Sequence, residues 1–184
     1  MPRINPIETN EATGKTRELL DGVQKALGIT PNMMKTMAQS PAVLEGYLSL
    51  NTTLGRSLTA KLREQIALVT AEVNGCGYCA SAHTALGKLA GLTEEQTTLA
   101  RQAGSGDEKS DAALKFAQTV LEKRGKVSDQ DLALIRAAGF GDGNIAEIVA
   151  HVALNVFTNY FNEVAKTEID FPVVQVPLSQ ATTA

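Results

Sequence analysis

Helix start and stop signals recur along this chain so regularly that little room is left for strands. Gly28, Pro31, Pro41, the Asn74-Gly75 pair, Gly91, Gly125 and Ser128 cut the sequence into segments of helical length. Thr9 or Asn10 is placed to cap a helix running through EATGKTRELLDGVQKAL to Gly28. Pro31 and Pro41 open NMMKTMAQS and AVLEGYLSLNTTLG. Thr59 caps AKLREQIALVTAEVN, where Leu62, Ile66, Val69 and Val73 recur at helical spacing, and Asn74-Gly75 stops it. The next helix runs from about Cys76 to Gly91, TEEQ at Thr93–Gln96 has the capping-box pattern, and another helix spans about Asp107 to Lys123. Ser128 caps SDQDLALIRAAG, and a long last helix begins near Asp142 to Asn144. Only VVQV near the C-terminus has a strand signal.

The expected fold class is therefore all-α. One domain is expected over residues 1–170, with N-terminal helices at 9–56, a core at 57–165 and an extended tail or arm at 171–184. That tail is free to lie on a neighbouring subunit, to lie on its own core, or to fray. The chain has no Trp and only 4% aromatic residues, so Leu, Ala, Val and Ile must build its core, which suits close helix packing.

Composition narrows the function classes. The net charge is −3 and the lysines and arginines are scattered, which argues against a nucleic-acid partner. No run of about 18 apolar residues is present, so no membrane span is expected. MPRINPIETNEATGK lacks the apolar run of a signal peptide, making a reducing, cytoplasmic location the default expectation. There, a Cys-x-x-Cys pair more often does redox chemistry or binds metal than forms a structural bridge.

Both cysteines lie in NGCGYCASAH, residues 74–83, with one of the two histidines. On a helix, Cys76, Cys79 and His83 share one stripe, with His83 one turn from Cys79 and two from Cys76. First-turn N–H groups and the helix dipole favour a thiolate there, as does a nearby imidazole. If residues 59–73 and 76–90 form an antiparallel hairpin, Glu64 lies within about a turn of His83 and can orient it. Glu72 is then a competing carboxylate at the level of Cys76. Zinc is the alternative, but Cys76, Cys79 and His83 supply three ligands, and a closed site wants a fourth, from Glu64 or His151.

LREQIALVTAEVNGCGYCASAHTALGKLAGL resembles the core of the alkylhydroperoxidase D-like and carboxymuconolactone decarboxylase superfamily, in its peroxidase-related branch. The shared pattern is Glu64, eleven residues, Cys76-x-x-Cys79, three residues, His83. HVALNVFTNYFNEVAKTEIDFP also looks like that branch. The resemblance implies an all-α fold that assembles as trimers or hexamers. It further implies that Cys79 attacks a peroxide, that Cys76 resolves the product, and that His83 and Glu64 relay the proton. The well-studied peroxidase carries a second histidine inside its Cys-x-x-Cys segment, where this chain has Gly77 and Tyr78. Decarboxylase members generally lack the paired cysteines, so the thiols argue against lactone decarboxylation.

The expected activity is that of a peroxidase, a disulfide oxidoreductase cycling between a Cys76–Cys79 dithiol and disulfide. Its partners would be a hydroperoxide and a dithiol protein or small thiol as reductant. No metal, haem or flavin is needed, and no strand–GxGxxG–helix unit points to a nucleotide. The alternatives are an acid–base enzyme using His83 and Glu64, or a non-enzymatic redox sensor. His151, Asn155, Asn159 and Asn162 form a polar stripe on the last helix, read first as a buried hydrogen-bonded row and second as a site wall. Tyr78 has no assigned role, and Met33, Met34 and Met37 read as core or interface filler.

Overall fold

The computed structural model describes residues 1–177. Along them run α1 (Gly14–Leu27), α2 (Asn32–Met37), α3 (Pro41–Leu54), α4 (Ala60–Asn74), α5 (Gly77–Leu89), α6 (Glu94–Arg101), α7 (Glu108–Glu122), α8 (Asp129–Ala137) and α9 (Asp142–Ala165). No strand occurs among the described residues, so the fold is all-α. Helix ends follow the sequence signals. Ser40, Thr59, Asp107 and Ser128 each accept a backbone N–H from the residue three positions on. Thr93 and Gln96 close the expected capping box.

The first helix departs from expectation. It begins at Gly14 rather than after Thr9 or Asn10, because Gly14 takes φ +52°, outside the helical region. The N–H groups of Glu11 and Ala12 instead turn back to the Glu8 carbonyl at 3.0 and 3.1 Å.

Helix α4 is the hub, packing on α5, α6, α7 and α9. Leu62, Gln65, Ile66, Ala67, Leu68, Val69, Thr70 and Ala71 are all buried, so its middle turns have almost no wet face. Two apolar clusters meet along it. One joins α4 to α7, α8 and α9 through Ile66, Leu68, Leu114, Ile135 and Ile148. The other joins α1, α2 and α3 to α5 through Leu20, Met37, Leu44 and Ala80, and it contains both cysteines.

The VVQV segment forms no strand; it is a strap over the start of α5. Val174 N–H bonds Ser81 Oγ at 3.0 Å, and Arg101 donates to the Gln175 carbonyl. Asp170 accepts the Asn32 N–H at 2.7 Å, and Phe171 meets Tyr78 edge-on at 5.8 Å. The tail through Pro177 thus lies on its own chain; residues 178–184 of the expected arm lie outside the described residues.

Candidate active site

The site forms where α4 reverses into α5. Gly75 takes φ +68°, a left-handed position that glycine occupies without strain. Cys76 N–H reaches back to the Ala71 carbonyl at 2.9 Å, and Gly75 N–H to Glu72 at 3.1 Å, a Schellman closure. Cys76 is then the N-cap of α5 rather than its first residue, and its Sγ accepts the Cys79 N–H at 3.3 Å.

This hairpin brings Glu64 to His83. Their Oε2 and Nδ1 atoms are 2.8 Å apart, with side chains 19% and 23% exposed. Burial disfavours the imidazolium, but the Glu64 charge and hydrogen bond, aided by Cys79, outweigh it and hold the His83 pKa above its ordinary value. His83 is thereby biased toward its charged form beside the thiols.

The two sulfurs are unequal. Cys79 is held down to about 7, first by a hydrogen bond from the Cys76 thiol, against the opposing effect of burial. His83 and the amides of Asn162 and Asn159 add to the lowering. Asn162 Nδ2 donates to Cys79 Sγ at 3.3 Å. Cys76 is pushed up by its bond to Cys79 and by burial, so it keeps its proton. Both are free thiols, 0% and 2% exposed.

Glu72, expected as a competing carboxylate at Cys76, pairs with Arg101, whose Nε and Nη2 hold Oε2 at 2.8 and 2.7 Å. A buried guanidinium requires a carboxylate partner, and this requirement captures Glu72. The polar stripe on α9 is divided between two tasks. Asn162 and Asn159 face the thiols, whereas His151 and Asn155 line a cavity of about 70 Å³ beside Glu64 and His83. Tyr78 also gains a role: its hydroxyl accepts Met33 N–H at 3.2 Å, anchoring the start of α2. Met33 is more than filler, since its sulfur shares the Asn162 amide with Cys79. Tyr47, which the sequence did not single out, is on the cavity wall. Among the described residues no three His, Cys, Asp or Glu side chains converge as a metal-ligand set.

Residues 41–119, which hold Glu64, Cys76, Cys79 and His83, match the carboxymuconolactone decarboxylase family. That match supports the resemblance of this core to the alkylhydroperoxidase D-like and carboxymuconolactone decarboxylase superfamily. Similar solved structures bear out the all-α fold over nearly the whole chain. An uncharacterized peroxidase-related protein from Ralstonia eutropha JMP134, described as an alkylhydroperoxidase AhpD core, superposes with a TM-score of 0.83. It is 23% identical and covers 92% of each chain. A peroxidase-related protein from Silicibacter sp. TM1040 gives 0.78 at 23% identity, covering 90% of this chain and 92% of its own. The debrominase Bmp8, as a cysteine-to-alanine variant with 2,3,4-tribromopyrrole, gives 0.77 at 20% identity over 91% of each chain. Similar folds thus carry more than one named chemistry. No curated protein matches the chain. No helix among the described residues is long and apolar enough to cross a membrane.

Proposed function

We propose that this protein is a thiol-dependent peroxidase, a disulfide oxidoreductase that reduces hydroperoxides through Cys76 and Cys79. The observation that carries this reading is the asymmetry of the pair. Cys79 ionises near 7, beside a His83 whose pKa Glu64 holds up, while Cys76 retains its proton. A nucleophile and a resolving thiol need that division.

In the cycle, Cys79 gives its proton to His83, which Glu64 orients. The thiolate electron pair attacks the terminal peroxide oxygen and forms an S–O bond. The O–O bond breaks, and the leaving alkoxide takes the proton from His83. Cys79 is now a sulfenic acid and the hydroperoxide an alcohol. The Cys76 thiol displaces hydroxide from the Cys79 sulfur, its own proton completing a water molecule, and the disulfide forms. An external dithiol, a protein or a small thiol, then returns both cysteines to thiols by exchange and leaves as its own disulfide. An antioxidant role in a reducing, cytoplasmic setting suits this cycle.

The reading extends to a homo-oligomer, a trimer or hexamer. Its support is the apolar side chains that α9 leaves exposed, Val149, Phe157, Tyr160 and Val164. Light scattering checks the assembly. Peroxide consumption with a dithiol reductant checks the activity, comparing wild type with Cys76→Ser and Cys79→Ser. Loss of turnover in both variants is expected. Equal rates in all three overturn the proposal, and a single stoichiometric oxidation without turnover favours a redox sensor.

A further inference from the structure

The cavity beside His83 carries two polar groups that the thiol cycle leaves unused. Met33, Tyr47, Glu64, His83 and His151 all contribute to its wall. His151 is 4% exposed. Hydrogen counting assigns its tautomer. Ser57 Oγ gives its one hydrogen to the Leu54 carbonyl at 2.6 Å. Toward His151 Nε2, 3.1 Å away, Ser57 can then only accept. The Leu54 carbonyl also faces this imidazole, and a carbonyl only accepts. The ring hydrogen is therefore on Nε2. Burial, and then the charge of Arg63, lower the His151 pKa, so the ring is neutral at pH 7. Its Nδ1 carries a lone pair, and no protein group among the described residues donates to it.

Tyr47 is the complement. Its hydroxyl has no hydrogen-bond partner among the described residues. Burial, with the charges of Cys79 and Glu64, pushes its ionisation up, so it remains an O–H donor. Two residues that each keep one uncommitted polar group, Tyr47 and His151, thus line one small cavity.

We propose that this cavity is the peroxide-binding subsite, with His151 Nδ1 accepting the peroxide O–H and the Tyr47 hydroxyl donating to a peroxide oxygen, and that it selects hydrogen peroxide over bulky organic hydroperoxides. The proposal rests on the peroxidase reading above and adds its substrate class. Hydrogen peroxide offers donors and acceptors on adjacent atoms, which matches the pair. Size agrees. A water-sized group needs about 10–15 Å³ of such space, and about 70 Å³ is present. Hydrogen peroxide fits, whereas the phenyl ring of cumene hydroperoxide requires the walls to move. Met33 lines the same cavity and shares the Asn162 amide with Cys79, so one amide links the reacting sulfur to a wall residue.

The test is stopped-flow oxidation of the reduced full chain by hydrogen peroxide and by cumene hydroperoxide, in wild type, Tyr47→Phe and His151→Leu. The Cys79 thiolate is titrated in parallel by its ultraviolet absorbance. Wild type should react at least about tenfold faster with hydrogen peroxide. Each variant should lose about tenfold in that rate, the scale of one lost hydrogen bond, with the thiolate midpoint unmoved. Cumene hydroperoxide reacting as fast in wild type, or wild-type rates in Tyr47→Phe, overturns the subsite. So does a rate loss accompanied by a shifted thiolate midpoint, which marks a structural effect. Failure of both peroxides to oxidise wild-type Cys79 is a different result and overturns the peroxidase reading itself.

Discussion

Asn162 points its amide at Cys79 Sγ from 3.3 Å, across 83 residues of sequence. The contact is buried, and it joins α9 to the first turn of α5. A neutral donor so placed favours the thiolate without adding a charge that burial would penalise.

Asn162→Leu should therefore raise the Cys79 pKa by about 1–2 units, given roughly 1.5–3 kcal/mol for a hydrogen bond to a charged group. Ultraviolet titration of the thiolate reads the shift. An unchanged midpoint would show that Cys76 and His83 hold the thiolate without Asn162.

Reactivity should follow the ionisation of Cys79. With its pKa near 7, the rate of oxidation should be flat well above neutrality and fall about tenfold per pH unit below it. The sign follows from the thiolate being the nucleophile: protonation removes it as pH falls. Cys76→Ala deletes the largest stabilising hydrogen bond and should move the midpoint upward. Alkylation rates measured against pH check both.

Glu64→Gln should lower the His83 pKa, because burial then acts on the imidazolium without its counter-charge. NMR titration of the imidazole reads this directly. Peroxide turnover should fall by about 100-fold or more, the usual scale for a lost acid–base partner. A His83 pKa that stays high would mean that Glu64 does not support the charge.

Arg101→Met removes the guanidinium that holds Glu72 and the Gln175 carbonyl. Breaking a buried ion pair from one side costs about 3–5 kcal/mol, so chemical denaturation should show a large loss. Hydrogen exchange should rise at Val174, whose N–H bonds Ser81 under the same strap. A variant as stable as wild type would contradict the buried pairing.

Much of this was legible in the sequence because it is local. Caps at Thr59, Thr93 and Ser128 act within one turn, and helical spacing predicts α4 and α9 without reference to the rest of the chain. The Glu64–His83 pairing was legible too, since a tight reversal at Gly75 leaves a hairpin one way to align its arms. Glu72 shows where such reasoning ends. Two carboxylates on one helix were both in reach of the site, and the partner that decided between them, Arg101, comes from α6.

The sequence by itself determined an all-helical chain and a stripe of two thiols and a histidine with a carboxylate in reach. The tertiary structure alone decided which asparagines meet the sulfur, that Met33 shares that amide, and that Tyr47 and His151 share a cavity wall with His83. The reason is physical. Capping and periodicity are set within a turn, whereas the crossing of α9 over α4 and α5 is set by how two apolar clusters fill the space between helices.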